Sequence, residues 1–248
     1  MTYTFTVSPD IALERLPGWQ GFNTWLQEAL GAAVHLALFP DFTAQRKAIA
    51  VDRLDLIYAN PYDASMLVRE KGFIPMTRPQ GKTDEALVAV SAGREISVAE
   101  DLRPGISVAT TNAPDIHMMG MIMLEPANLH AGNVSLEICD STTLAAKRIL
   151  EGQCDAGIFL AEAFRGLPSI VRDQLRVLVS SEIQVLHHSL MLGPRLAGHG
   201  DRLHAALLAM SQDEKGRAVL EGLGFRQWEP VDQEAMEFMI DLMDTLLV

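Results

Sequence analysis

ISVATTNAPDIHMMGMIMLE, residues 106–125, is the stretch whose reading decides the fold. It opens as a short apolar strand, Ile106-Ser107-Val108-Ala109. It passes through the polar turn Thr110-Thr111-Asn112-Ala113-Pro114-Asp115 and runs into a Met-rich helix. Strand, polar turn and helix start is how an open α/β sheet offers backbone N–H groups to a ligand. Two hydroxyls and an amide at the turn add side-chain hydrogen-bonding groups. The plainer reading is a helix cap, because Thr, Asn and Asp satisfy orphan N–H groups at such a position.

The same grammar repeats on the N-terminal side. Period-two alternation and short apolar runs predict strands over residues 3–7, 34–39, 55–59 and 73–76. Helices are predicted over residues 19–30, 42–51 and 64–71, with Pro17-Gly18 closing a loop before the first. Strand alternating with helix implies a largely parallel sheet with helices on both faces. Ser8-Pro9-Asp10, Pro40-Asp41 and Asn60-Pro61-Tyr62 then fall at the carboxyl edge, where such sheets bind ligands.

A second α/β set flanks the opening stretch. Strands are expected at residues 86–90, 133–138, 156–160 and 176–179, with a helix at 143–150 behind Asp140-Ser141-Thr142. Residues 97–102 read as a short helix with Ser97 as N-cap and Glu100 three residues on. Residues 185–192 alternate like a strand, and helices follow at 199–210, 213–223 and 234–247. The organisation expected is lobe one from residues 1–80, an inserted lobe two from 81–184, and a return to lobe one over 185–248. Two lobes joined by two crossings would enclose a ligand in a cleft between them.

Composition narrows the function. The 248 residues are 48% hydrophobic and 21% charged, which reads as globular. A net charge of −12 with no basic stripe argues against nucleic acid and anionic membrane as partners. No window is long and apolar enough to cross a membrane. Residues 1–5 carry neither a basic n-region nor an apolar h-region, so a cytoplasmic location is expected if Met1 is the native start. A periplasmic one is expected if an export signal was removed.

No enzyme motif stands out, and neither a metal site nor a cofactor is expected. The seven histidines lack ligand spacing, and His187-His188, read as adjacent strand residues, would face opposite sides. His117 with Met118, Met119, Met121 and Met123 suits Cu(I) by chemistry, but the helix phase splits these side chains between faces. Core packing is the better reading, with His117 as a donor one turn into the helix. Arg46, Lys47 and Arg53 read as solvated helix charges. Asp10, Asp115 and Asp140 each sit at a strand-to-helix turn, as N-caps or as groups that set ligand charge. Cys139 and Cys154 match no zinc pattern, and sequence leaves a single bridge between them open.

Phe39-Pro40-Asp41, Asp55-Leu56-Ile57-Tyr58-Ala59-Asn60-Pro61-Tyr62, residues 97–109 and Ile149-Leu150-Glu151-Gly152-Gln153-Cys154-Asp155-Ala156-Gly157 occur in that order. With Gly216-Arg217-Ala218-Val219-Leu220 and Leu223-Gly224-Phe225, they resemble the phosphonate-binding family of ABC-importer solute-binding proteins over nearly the whole chain. The resemblance implies a two-lobed type II periplasmic binding protein fold, α/β, with mixed sheets and helices on both faces. It implies ligand loops at Ser8 to Asp10, at Tyr58, Asn60 and Tyr62, at Thr110, Thr111 and Asn112, at Asp140, Ser141 and Thr142, and in the residues after Phe159; His117 joins the candidate set from its place in the helix.

The turn at 110–115 departs from the family's small Ser/Gly run, Pro114 removes a donor, and a family histidine is replaced near Asp140. The function expected is non-enzymatic binding of a small polar, anionic solute, phosphonate- or oxyanion-like, as the receptor of an ABC importer. Its partners would be that small molecule and an ABC permease, with the chain a monomer or, alternatively, a dimer. The alternatives are a leaderless intracellular ligand sensor and an enzyme using the same cleft.

Overall fold

The computed structural model describes residues 2–244. The chain divides between Thr83 and Asp84 and again between Gln184 and Val185. One compact unit is therefore built from both ends of the chain, and the other from Asp84–Gln184.

The first unit opens with β1 (Thr2–Val7), α1 (Leu16–Leu30), β2 (Ala33–Ala37), α2 (Phe42–Ala50), β3 (Leu56–Ala59), α3 (Pro61–Lys71) and β4 (Ile74–Pro79). The second carries β5 (Ala86–Ser91), β6 (Ser107–Thr111), α4 (Pro114–Leu124), β7 (Ser135–Cys139), α5 (Thr142–Leu150), β8 (Ala156–Leu160), α6 (Ala161–Arg165), α7 (Ser169–Arg172) and β9 (Leu175–Ser180). The chain then returns to the first with β10 (Ser189–Leu192), α8 (Gly200–Ala209), α9 (Glu214–Leu223), β11 (Trp228–Pro230) and α10 (Gln233–Asp244). The expected end of the last helix at residue 247 lies outside the described residues.

In the first unit the strand order is β11-β4-β10-β3-β1-β2. Strands β1, β2 and β3 run parallel, whereas β10 is antiparallel to both β3 and β4. The sheet is therefore mixed and not largely parallel. The physical reason is the returning segment: Ser189–Leu192 is wholly buried and apolar enough to take a central place between β3 and β4. On one face Tyr3, Phe5 and Val7 pack with Trp19, Phe22 and Leu26 of α1. Helix α1 includes Pro17 and Gly18, contrary to the expected loop, because Pro fits the first helical turn. Gly18 is also required for packing, since a Cβ there would lie 2.3 Å from the Gly222 carbonyl oxygen of α9.

The second unit orders its strands β7-β6-β8-β5-β9, with β6, β7 and β8 parallel and β5 antiparallel to β8 and β9. Ala109, Ala145, Ala146, Ile149 and Phe159 fill one side. Helix α4 packs against β5 and β8. Ser97 does not cap a helix: a 3-10 turn spans Ala99–Asp101, and the Asp101 carboxylate accepts from the Ser97 and Val98 N–H groups.

Asp55 and Asp155 play one role in the two units. Each precedes a central strand and holds the first residues of its neighbour. Asp55 accepts from the Thr4 N–H at 2.8 Å and binds Arg195 Nε at 2.8 Å. Asp155 accepts from the Ser107 N–H at 2.9 Å and from Arg94 Nη1 at 2.7 Å. These bonds hold the Asp155 carboxyl below its ordinary range against the opposing effect of burial.

Candidate functional site

Each unit gathers polar side chains where its parallel strands end. In the first unit, β1 ends at Val7 and β3 at Ala59, and β10 begins at Ser189 opposite Ala59. Ser8, Asn60 and His188 are thus the residues just beyond three adjacent strands. The Ser8 N–H donates to the Tyr58 carbonyl at 2.8 Å, which ties the end of β1 to β3.

Asp10 is not a helix cap. Its Oδ1 lies 3.2 Å from Nε2 of His188, and both side chains are almost wholly buried, 4% and 8% exposed. Burial raises the Asp10 carboxyl. The His188 charge, a hydrogen bond to His188 and the Ser8 hydroxyl outweigh it, leaving the group below its ordinary value. The His188 ring stacks on Tyr58 with centroids 5.2 Å apart, and Tyr58 in turn meets Trp19 at 4.6 Å.

Asn60 is the N-cap of α3. Its Oδ1 accepts from the Asp63 N–H at 2.7 Å, and its Nδ2 donates to Asp63 Oδ2 at 3.1 Å. Asp63 is buried against Arg46 Nε at 2.6 Å. Burial pushes the Asp63 carboxyl up while Arg46 opposes that push. Arg46 is therefore no solvated helix charge: its guanidinium also sits over the half-buried Tyr62 ring at 4.9 Å and the Phe42 ring at 5.1 Å.

In the second unit, residues 107–124 form β6, a turn and α4 as expected. The plain cap does not form there. Helix α4 has Ala113 at its N-cap, with no side-chain cap bond, and Pro114 follows. Helices α2, α3 and α5 are each closed by a side chain: Asp41 to Ala44, Asn60 to Asp63, and Ser141 to Leu144. Thr110 is fully buried, and among the described residues its Oγ1 has no hydrogen-bond partner. Thr111 is half-buried and Asn112 exposed.

His117 is half-buried one turn into α4, its Nε2 likewise unsatisfied, and burial lowers its pKa. Asp115 is a buried second residue of α4, not its cap. Met119 belongs to the core. Asp140 and Ser141 are exposed and Thr142 half-buried, and Ser141, not Asp140, caps α5. No group of three or more His, Cys, Asp or Glu side chains among the described residues could hold a metal ion.

The sequence reading missed His188, Arg46 and Asp63. His187 and His188 precede β10 instead of lying in it, so strand alternation does not apply and both are buried. The usable signal was His187-His188-Ser189 running directly into Leu190-Met191-Leu192, a polar run at the mouth of a buried strand.

The profile of the family described as ABC transporter, phosphonate, periplasmic substrate-binding protein matches residues 5–236. The chain belongs to this family of phosphonate-type substrate-binding proteins. No curated protein matches the sequence. Among solved structures, PhnD1 from Prochlorococcus marinus in complex with methylphosphonate is similar at TM-score 0.80 and 12% identity, covering 99% of this chain and 98% of that one. A binding protein component of an ABC phosphonate transporter from Pseudomonas aeruginosa gives 0.78 and 14%, covering 98% and 87%. The alkanesulfonate-binding protein SsuA from Xanthomonas axonopodis, bound to MOPS, gives 0.71 and 15%, covering 99% and 93%. At these identities the likeness is one of fold, that of the type II periplasmic binding proteins.

Proposed function

We propose that this chain is a non-enzymatic receptor for a small phosphonate- or sulfonate-like oxyanion and delivers it to an ABC permease. The observation that carries the reading is the start of α4. A helix N-terminus concentrates N–H donors and a positive dipole end. Here the N-cap residue, Ala113, makes no side-chain cap bond, and the buried Thr110 hydroxyl beside it has no partner among the described residues. A buried hydroxyl left unsatisfied costs about 1–3 kcal/mol, which an oxyanion would recover. Thr111, Asn112 and His117 join Thr110 as the proposed binding residues of the second unit. Ser8, Asp10, Tyr58, Asn60 and Tyr62 are its members in the first unit, Asn60 and Tyr62 acting mainly through the order they impose. Asp140, Ser141 and Thr142 remain in the set at the start of α5.

The test is a thermal-shift panel of methylphosphonate, methanesulfonate, phosphate, sulfate and amino acids, with calorimetry on each compound that shifts the melting point. A ligand that binds only the folded state raises it. An oxyanion is expected to do so, and Thr110→Val and Thr111→Val to weaken binding about tenfold, the scale of one lost hydrogen bond. Unchanged affinity in folded Thr110→Val and Thr111→Val proteins would remove α4 from the site.

A further inference from the structure

The stretch that holds the proposed oxyanion site of the second unit has no fixed positive charge. From Pro104 to Ala146 the chain carries no Lys or Arg, only the acids Asp115, Glu125, Glu137 and Asp140 and two histidines. That stretch contains β6, α4, β7 and the start of α5. Resting on the oxyanion reading above, we propose that the start of α4 takes its ligand as a single negative charge, a sulfonate or a phosphonate that keeps one proton, and not as a dianion.

Three observations carry this. The first is the polar set. Thr110, Thr111 and Asn112 offer hydroxyls and an amide, which carry no charge. The Thr110 hydroxyl is fully buried with no partner among the described residues, which marks the place. The second is His117. Its Nε2 is buried and has no partner among the described residues, and burial disfavours the charged ring. An imidazole whose ordinary pKa is about 6.5, lowered further, is uncharged at pH 7. The neutral ring donates to a sulfonate oxygen in one tautomer and accepts the remaining proton of a phosphonate in the other. The third is the helix. Its N-terminus counts as about half a positive charge, which matches one negative charge better than two. A second charge held against it is left without a partner, and an unpaired charge taken out of water is costly.

The groups around α4 agree in sign. Strands β5 and β8, which pack against it, carry no titratable side chain. The 3-10 turns Ala99–Asp101 and Glu125–Ala127 beside it bring Glu100, Asp101 and Glu125, and Asp115 lies in its own first turn. His130 is exposed beyond α4, its Nδ1 accepting from the Gly132 N–H. The seven Lys and Arg of the unit lie outside the stretch. Six are engaged with carboxylates or backbone carbonyls, Arg94 with Asp155 and Arg148 with Glu137 among them. The seventh, Arg165, is exposed at the end of α6. The proposed residues of the first unit add no Lys or Arg, and the lowered Asp10 carboxyl with His188 sums to zero or less in charge.

The experiment is calorimetry of the intact chain from pH 5.5 to 8.5, in buffers free of sulfonate and phosphate groups. Methanesulfonate keeps one charge and sulfate two over this range. Methylphosphonate passes from one charge to two near neutral pH, as phosphate esters do. Methanesulfonate is expected to bind with level affinity from pH 7 to 8.5. Methylphosphonate is expected to lose affinity over that interval, approaching about tenfold per pH unit once its second proton is gone, with proton uptake on binding. Sulfate is expected to bind about tenfold more weakly than methanesulfonate, or worse.

His117→Lys, which puts a fixed cation one turn into α4, is expected to flatten the methylphosphonate slope and to narrow the sulfate deficit. Arg165→Gln is expected to leave the order of the three probes unchanged. Methylphosphonate that holds or gains affinity as pH rises through its second ionisation, or sulfate that outbinds methanesulfonate, overturns the single-charge rule while the receptor reading stands. A loss of anion affinity in folded Arg165→Gln does the same, because Arg165 would then be the missing cation. If no oxyanion of the panel binds at any pH, the receptor reading itself is overturned and this inference with it. If His117→Lys misfolds, the wild-type comparison of the three probes decides.

Discussion

The backbone N–H of Gln184 donates to Oε1 of Glu85 at 2.7 Å, across ninety-nine positions of sequence. Glu85 Oε2 also accepts from the Ile183 N–H at 3.0 Å and from the Ser181 hydroxyl. One carboxylate therefore fastens the segment entering the second unit to the segment leaving it. Gln184 takes up a left-handed backbone, φ 59°, to present its N–H.

Glu85→Ala removes the acceptor of those donors, and because Ile183 and Gln184 are exposed to water a loss of about 1 kcal/mol is expected. Glu85→Gln retains one acceptor oxygen and should recover part of it. Denaturation followed by far-UV circular dichroism measures the loss. Tryptophan emission provides a contrast, because Trp19, Trp25 and Trp228 all belong to the first unit. Equal stability of Glu85→Ala and wild type would deny the clasp any energetic role.

Acid should act on the second sheet through Asp155. Its folded-state pKa lies below the ordinary value, so the ionised group stabilises the fold. That contribution is complete above about pH 4 and is lost as pH falls through the lowered value. Asp155→Asn should cost about 1 kcal/mol at pH 7, modest because the side chain is a third exposed. It should also flatten the acid limb of the stability curve. An unaltered acid limb in the variant would place the acid sensitivity elsewhere.

Cys139 and Cys154 are free and buried. Cys139 ends β7, and Cys154 lies in the segment just before β8. Burial and the Glu137 carboxylate, which accepts from Cys154 Sγ at 3.3 Å, push the Cys154 thiol up to about 11. At pH 8 the thiolate is then about one part in a thousand, and alkylation should be slow. In a Cys139→Ser background, Glu137→Gln should accelerate labelling of Cys154 in the folded protein. No acceleration would mean that burial alone protects it.

Gly120 lets α4 lie close on β8. A Cβ at this position would be 2.4 Å from Ile158 Cγ2, with Cγ1 and Cδ1 also inside 3 Å. Ala favours helix by about 1 kcal/mol, but such overpacking costs about 1–3 kcal/mol, so Gly120→Ala should destabilise on balance. Ile158→Val removes Cδ1, and the double variant should recover part of the loss in a mutant cycle. Simple additivity would show that the contact relaxes elsewhere.

The alternation of strand and helix was legible because each element carries its own signature. Tyr3, Phe5 and Val7 alternate, α1 has an apolar stripe, and Gly31 and Gly72 stop their helices in the left-handed conformation. The place of β10 was not legible. Sequence order cannot say that Ser189–Leu192 slips between β3 and β4, because that choice is made by burial among strands distant along the chain.

Site residues follow the same division. Thr110, Asn60 and Ser8 sit at strand ends that periodicity locates. His188 and Arg46 acquire meaning only from Asp10 and Asp63, partners 178 and 17 positions away. The sequence offers Asp10 as an N-cap or as a group that sets ligand charge, and its pairing with His188 is visible only in the fold.

The interleaving of β10 has a consequence for biosynthesis. When the ribosome has added residue 184, every strand of the second sheet has been made, and that unit has all it needs to condense. The first sheet is then still missing the strand that joins β3 to β4. Its N-terminal half must wait, with the flanks of β3 and β4 unpaired, until Ser189–Leu192 has emerged. The part synthesised first is thus completed last. For that interval the nascent chain carries open strand edges, the feature that makes a folding intermediate prone to aggregate.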